Sequence, residues 1–363
     1  MTLRVATIVE QLWHTVPGGT ARVTREILGR LLDDPELELH GVAAWHGRQQ
    51  REIAIPGLRT HYVEAHRRVL YEAWLRFGVP SIERDTGSVD VVWAASMIAP
   101  PTHAPIVATV HDLGFLDRPE HLSRRGKSFF PRAWAGVKEK AGIIVCPSNV
   151  VADDCARHGV AAKRLRVIPW GVSEPLCPSD EEADQVRKSL ELPERFVLWV
   201  GTLEPRKNLP ALVAAMKQQD EDLHLVAVGP KGWELTVEEV FAPIEGRVHR
   251  LGWVDEQTLS SLYRAATIFA FPSLLEGFGL PVLEAMAHET PVITSDATAT
   301  EEVAGGAAIL IDPTDTAALS QAIKELAHDP ILQSTLVEAG LERAQKLSWS
   351  ASAESYSEVF HEV

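Results

Sequence analysis

The stretch Glu276-Gly-Phe-Gly-Leu-Pro-Val-Leu-Glu284 carries two carboxylates with seven residues between them. Gly277 and Gly279 free the backbone for close approach to a ligand. Pro281 suits the first turn of a helix, where its missing N–H costs nothing. A helix is therefore expected to begin near Gly279 or Leu280, with its bare N–H groups turned toward the loop as an anion cradle. Glu276 falls just before that cradle and Glu284 one turn inside the helix, so both can face one ligand at different heights. The plainer alternative is a pair of exposed structural glutamates.

A second polar group sits in Val200-Gly-Thr-Leu-Glu-Pro-Arg-Lys-Asn208. A strand is expected to stop at Gly201, and Arg206 and Lys207 then open a helix. Cations are favoured at helix C-termini, not at N-termini. Two of them here call for an anion, and a diphosphate would take Arg206 as a fork and Lys207 as a point charge. A solvated basic turn is the alternative.

Two weaker signals lie in the first half. Gly18-Gly19-Thr20 follows a strand and opens an amphipathic helix, which reads equally as a phosphate loop or a plain turn. His111 and Asp112 come directly after the strand Ile106–Val110, where polar side chains of a buried parallel strand reach the ligand. Asp112 reads equally as a turn cap, and His111 as a satisfied core histidine.

The elements that must position these residues follow one rhythm. Val- and Ile-rich runs at 4–9, 39–45, 89–94, 106–110, 142–147 and 165–170 alternate with helix candidates at 20–32, 66–77, 127–141 and 149–158. The second half repeats it, with strands at 196–201, 223–229, 248–254, 267–272, 291–296 and 307–313. Its helices are expected at 181–191, 208–219, 255–265, 279–288 and 315–328. Continuous apolar strands with helices between them imply parallel sheets buried on both faces. The junction is expected near 172–180, where two prolines precede an acidic helix start. The result is an α/β chain of two doubly wound domains, with the ligand expected in the cleft they face.

Composition narrows the function. The 363 residues are 45% hydrophobic and 23% charged, as in ordinary globular proteins, and the length favours two domains. Three cysteines, Cys146, Cys155 and Cys177, form no C-x-x-C pair, which argues against a disulfide framework or a zinc site and for thiols in a reducing cytosol. No metal-ligand cluster and no signal peptide are apparent. The stretch 91–110 holds Pro100, Pro101, Pro105 and His103, so it reads as two strands and a loop, not a membrane span. Net charge is −15, divided as +4 over residues 1–172 (22 Lys+Arg against 18 Asp+Glu) and −19 over 173–363 (13 against 32). That acidic half is a poor nucleic-acid surface. The first half holds basic clusters at Arg67–Arg68 and at Arg124, Arg125, Lys127 and Arg132, read either as a solvated helix face or as contact with an anionic membrane or lipid-phosphate acceptor. No G-x-G-x-x-G follows a strand, which disfavours a dinucleotide oxidoreductase.

Together these residues resemble the family 4 glycosyltransferases, retaining enzymes of the GT-B fold, over nearly the whole chain. The Glu-x7-Glu pattern with Gly-Phe-Gly-Leu-Pro, read with Glu-Pro-Arg-Lys-Asn, carries the resemblance. The segments HDLGFLDRPE, GPKGW and LGWVDEQTLSSLYRAATIFAFPS look most like bacterial mannosyltransferases. The resemblance implies two Rossmann-like domains facing a central cleft. One is an acceptor-side domain over 1–173, completed by a crossing helix at 348–363. The other is a donor-binding domain over 174–347. It implies that Arg206 and Lys207 bind the donor diphosphate and that Gly18 and Gly19 close on it. Glu276 would contact the sugar hydroxyls beside the backbone of Gly277, Phe278, Gly279 and Leu280. Glu284 would hold the ribose, His111 would sit by the transferred sugar, and Val254 with the Gly229–Lys231 turn would lie near the base. Where the family often has Gly-Thr-Pro, this chain has Glu289-Thr290-Pro291.

The expected activity is transfer of a hexosyl group, mannosyl favoured, from a nucleoside diphosphate sugar to an acceptor hydroxyl with retention. No cofactor or metal is expected. GDP-mannose is favoured as donor over a UDP-sugar. The acceptor is a glycan, a lipid-linked or a small-molecule hydroxyl, and the expected location is cytoplasmic, extending to the inner face of the membrane. The competing readings are a GT-B enzyme with a cyclitol or aminoglycoside-type acceptor, and a catalytically silent nucleotide-sugar-binding protein.

Overall fold

The computed structural model of the chain describes residues 2–14, 18–47, 55–119, 122, 124–172, 178–232 and 237–363. Cys177, Trp233 and the middle of the expected junction lie outside the described residues. The chain forms two compact units, one of residues 1–170 with 349–363, the other of 171–348.

The first unit is a seven-stranded sheet. Its strands are β1 (Leu3–Ile8), β2 (Leu37–Ala44), β3 (Arg59–Val63), β4 (Val91–Ala94), β5 (Ile106–Thr109), β6 (Ala141–Cys146) and β7 (Leu165–Val167). They are ordered β3-β2-β1-β4-β5-β6-β7 and all pair in parallel. Ile8, Val42, Val92, Ala108 and Ile144 fill the core from the central strands, and Trp74 and Trp134 pack in from helices. The segment expected to cross back forms the helix Trp349–His361, which packs on Gly19–Leu31. Tyr356 and Phe360 on that helix are fully buried against Trp93, and the Tyr356 hydroxyl lies 2.9 Å from Thr109 Oγ1.

The second unit has six strands, β8 (Phe196–Val200), β9 (His224–Val228), β10 (Val248–Gly252), β11 (Ile268–Phe271), β12 (Val292–Ser295) and β13 (Ile309–Ile311). Their order is β10-β9-β8-β11-β12-β13, again parallel throughout. Both sheets therefore reverse direction of winding between their first and fourth strands, at β1/β4 and at β8/β11. The loops leaving the carboxyl ends of those strands diverge there and leave a crevice for polar groups.

The short helices Glu83–Thr86, Gly114–Asp117, Val237–Phe241 and Ala299–Ala304 were not expected from the sequence, and two further departures have a physical reason. β3 was not expected, because Arg59-Thr60-His61-Tyr62-Val63 is a half-exposed edge strand with a single fully buried residue and no apolar run. The helix Pro330–Lys346 was missed as well. It buries only Leu336, Gly340 and Ala344, too few for a strong helical period. Cys146 and Cys155 share no recognisable motif, yet strand and following helix bring their buried Sγ atoms to 3.8 Å as free thiols. Among the described residues no helix is long and apolar enough to cross a membrane.

Candidate functional site

In the second unit the loops after β8 and β11, the two strands at the winding reversal, carry the strongest polar cluster. Leu274 N donates to Arg206 O at 2.8 Å, which stitches the loops together. Between them Glu276 is buried. Lys207 Nζ donates to its Oε1 at 2.6 Å, and Arg206 Nη1 donates to its Oε2 at 3.0 Å. Arg206 also pairs with buried Glu204 at 2.7 Å, and Lys207 lies 4.6 Å from the Phe271 ring centroid.

This arrangement corrects one step of the sequence argument. The anion required by adjacent Arg206 and Lys207 is supplied within the chain, by Glu276 and Glu204, so a ligand is not needed to explain them. The two cations also precede the helix Leu209–Met216. They sit in the 3-10 turn Pro205–Lys207, and Asn208 at φ +55° makes the corner.

Burial works against an ionised Glu276, but Lys207 and then Arg206 outweigh it and hold the carboxyl below the usual glutamate range. For Lys207 burial is the largest influence and takes the ammonium below the ordinary lysine range, with Glu276 pulling the other way. Removing either partner would leave a buried charge uncompensated. Each carboxylate oxygen of Glu276 has one lone pair engaged, which leaves capacity to accept hydroxyl donors.

The glycines around this cluster are dictated by packing. Gly279 has φ +104° and caps the helix Leu280–Ala287, and a Cβ there would meet Thr300 Cγ2 at 2.7 Å. That helix starts where the sequence placed it, with Pro281 in its first turn. Phe278 and Leu280 are buried under the turn beside Gly277. Gly229, at φ +137°, would drive a Cβ to 1.9 Å from Gly201 O. The turn it begins runs along the β8 loop, where Leu203 and Lys231 form a bridge. Lys231 itself is exposed, and Val254 is half-buried after the exposed Trp253.

Glu284 is buried on the same helix, and the Tyr263 hydroxyl donates to its Oε2 at 2.9 Å, which fixes its direction. Glu284 is thus a held carboxylate, not an exposed structural one. Sequence reasoning missed Tyr263, which no local signal ties to Glu284, and passed over Glu204 inside a motif it had already quoted.

In the first unit His111 follows β5. Its Nε2 donates to Ala95 O, 2.9 Å away at the end of β4, so Nδ1 is left as the acceptor. Nδ1 is buried and has no hydrogen-bond partner among the described residues. Burial pushes the imidazole below the ordinary histidine range, against smaller pulls from Ala95 and Asp112. The ring lies 5.3 Å from Trp170. Asp112 caps a turn, accepting from Gly114 N at 3.1 Å. Gly18 caps the helix Gly19–Leu31, and nothing lies within 4 Å of a Cβ at Gly18 or Gly19.

A further buried carboxylate, Glu10, was not anticipated. It follows β1 and accepts from Ala44 N at 2.8 Å and from His46 Nε2 at 2.9 Å through one oxygen, while Arg67 stands 3.9 Å from the other.

Residues 17–174 match the family model described as Glycosyltransferase Family 4, and residues 180–343 match that of Glycosyl transferases group 1. The chain is 30% identical over 256 residues to O-antigen chain mannosyltransferase B of Escherichia coli, which covers 67% of this chain and 66% of that one. It is 28% identical over 228 residues to the serotype-specific mannosyltransferase WbdA of Escherichia coli, covering 59% of this chain but only 28% of the relative. The chain thus spans just under two thirds of the first relative and little more than a quarter of the second. Among solved structures, Anabaena HepE in complex with UDP and glucose superposes with a TM-score of 0.78 at 18% identity, covering 99% of this chain and 100% of that one.

Proposed function

Since this chain belongs to the family 4 glycosyltransferases and has the GT-B fold, we propose that it moves a hexosyl group, mannosyl by preference, from a nucleoside diphosphate sugar to an acceptor hydroxyl with retention. The observation that carries this reading is the buried Glu276 clamped by Arg206 and Lys207 at the β8/β11 reversal, next to the Gly277–Gly279 turn.

Glu276 and Glu204 already balance Arg206 and Lys207, so we assign a diphosphate leaving group to the exposed edge of Arg206, not to a net positive charge. Arg206 is the more exposed of the two cations and meets a ligand first, while Lys207 is buried behind it. As the glycosidic bond breaks, negative charge grows on the leaving phosphate. We assign its stabilisation to Arg206 and Lys207 together with the N–H of Leu280, since Pro281 has none and Val282 N–H donates to Gly279 O. Glu276 is compensated by two cations, which makes it a weak nucleophile and a good acceptor for sugar hydroxyls. We assign it to positioning the sugar, and Glu284, steered by Tyr263, to the ribose. His111 Nδ1, neutral and buried, is suited to accept from a hydroxyl of the transferred sugar. Gly18 and Gly19 are assigned to the phosphates, and the Gly229–Lys231 turn with Val254 to the base.

Mannose as the favoured sugar rests on the mannosyltransferase relatives, and GDP as the favoured nucleotide follows from it. Arg206 and Lys207 are assigned as the donors to the leaving phosphate, so turnover in the presence of a chelator is expected. The acceptor is a glycan, lipid-linked or small-molecule hydroxyl.

The test is hydrolysis of GDP-mannose and of UDP-glucose by the purified chain, with the anomer of the released sugar followed by proton NMR at early times. Release of α-mannose supports the reading. An absence of hydrolysis with both donors, together with no thermal shift from saturating GDP or UDP, would overturn it.

A further inference from the structure

The first unit holds a cavity of about 300 Å³ that the donor chemistry does not use. It opens between the helices Arg67–Phe77 and Gly126–Lys140, and its size is at the lower end of small-molecule sites, ~300–1,000 Å³. One wall is aromatic. Tyr71 and Phe129 are near-parallel with centroids 6.1 Å apart, and Phe130 stands edge-on to Phe129 at 5.6 Å. The remaining lining is basic, from His14, Arg67, Arg68 and Arg125, with Glu72 as the one acid.

Glu72 does not neutralise that lining. Its carboxylate is held bidentately by Arg132, at 2.9 and 3.0 Å, and again by Arg76 at 2.9 Å, which also ties the two helices together. Among the described residues Arg67 has the distant Glu10 oxygen, at 3.9 Å, as its acidic partner. Arg68 and Arg125 are exposed and have no acidic partner for their guanidinium groups among the described residues. Three guanidinium groups thus face a cavity whose single carboxylate is committed elsewhere. A ligand would bring the counter-charge that the described residues do not supply, and guanidinium forks match phosphate oxygens in shape as well as charge. The aromatic wall would cover an apolar or ring-shaped body attached to it.

We infer that this cavity binds a phosphate ester, its phosphate on Arg68 and Arg125 and its carbon body against Tyr71, Phe129 and Phe130. Resting on the transferase reading, the occupant is the acceptor, a hydroxyl compound that carries a phosphate. A soluble sugar or cyclitol phosphate and a lipid phosphate headgroup share this chemistry. Val69 and Phe77 of the same helix are 62% and 75% exposed, which is the reason to test the lipid source directly.

Phenyl phosphate is the probe, titrated calorimetrically into the full chain beside inorganic phosphate and phenol. Saturable binding of phenyl phosphate, tighter than either fragment, is expected. Arg68→Gln with Arg125→Gln should weaken it about tenfold or more, the scale of losing charge-assisted hydrogen bonds, while the melting temperature and GDP-mannose hydrolysis stay unchanged. Phe129→Leu should narrow the gap between phenyl phosphate and inorganic phosphate. Co-sedimentation with phosphatidylglycerol vesicles but not phosphatidylcholine vesicles, lost in the double variant and competed by phenyl phosphate, assigns the site to a lipid headgroup. Phenyl phosphate binding without vesicle binding assigns it to a soluble ester. No phenyl phosphate binding, or binding untouched in a folded double variant, overturns the proposal. Loss of donor hydrolysis by the unaltered chain would instead count against the transferase reading and leave this site standing.

Discussion

Each unit places a buried carboxylate at its winding reversal, and the two are used differently. Glu10 of the first unit spends one oxygen on Ala44 N and His46 Nε2, and among the described residues Arg67 stands 3.9 Å from the other. Glu276 of the second spends both oxygens on the side chains of Lys207 and Arg206. The glycines of the candidate-site loops divide the same way. Gly229, Gly232 and Gly279 of the second unit have no room for a Cβ, whereas Gly18 and Gly19 of the first have open space around theirs. One topology thus supports a tightly packed charge cluster in one unit. In the other it supports a looser rim whose cations, Arg68 and Arg125, have no acidic partner among the described residues. A rigid cluster suits a fixed phosphate and leaving group, and a looser one suits an acceptor.

The comparison breaks most visibly at the glycines. Gly229→Ala should cost about 4 kcal/mol or more, the scale reserved for severe steric conflict, and chemical denaturation would read it. Gly18→Ala should leave stability nearly unchanged, since its φ of −80° and open surroundings accept alanine. Its effect is expected in the Michaelis constant for the donor. Equal stability losses in the two variants would erase the distinction.

Next comes the carboxylate pair. Glu276→Ala strands Lys207 and should destabilise by about 3–5 kcal/mol, with turnover reduced at least about a hundredfold. Glu10→Gln keeps an acceptor for Ala44 N and should cost about 1–3 kcal/mol without altering nucleotide affinity. Normal turnover by a folded Glu276→Ala chain would remove Glu276 from the chemistry.

A subtler contrast tests likeness instead of difference. Each unit pairs histidines across its second and third strands, His40 with His61 and His224 with His249, both with ring nitrogens 3.1 Å apart. Burial pushes all four below the ordinary histidine range. His40 adds to the effect on His61 and His224 to that on His249, while Arg247 acts on His224. The unfolded chain then binds protons that the folded chain refuses, so stability falls as pH drops below ~6.5 and levels off once the folded values are passed. Melting curves between neutral and mildly acidic pH should flatten in His40→Gln/His61→Gln and in His224→Gln/His249→Gln alike. A response confined to one pair would show that the units differ here too.

The smallest effect is at Glu289, which holds φ +60° where the family often has glycine. Glu289→Gly relieves a left-handed strain of about 1–2 kcal/mol but loses the pair with Arg264 at 2.6 Å. A net gain of about 1 kcal/mol or less is expected in the denaturation midpoint.

Much of this was legible locally. Continuous apolar runs marked twelve of the thirteen strands among the described residues, because buried parallel strands must be apolar on both faces. Pro281 and Gly279 marked a helix start because few other residues tolerate those backbone positions. The edge strand β3 and the helix Pro330–Lys346 were silent because each buries too little to print a period.

By itself, then, the sequence determined the alternation of strands and helices, the two-unit α/β plan and the residue types at each loop, all consequences of local backbone and burial preferences. Which charge meets which was decided only in three dimensions. Glu276 lies 70 residues from Arg206. They meet because β8 and β11 pair side by side, and no spacing along the chain encodes that adjacency. The sequence suggested a pair of cations waiting for a ligand's anion. The folded chain supplies one of its own, because buried charges left unpaired in a low-dielectric interior cost more than the fold can bear.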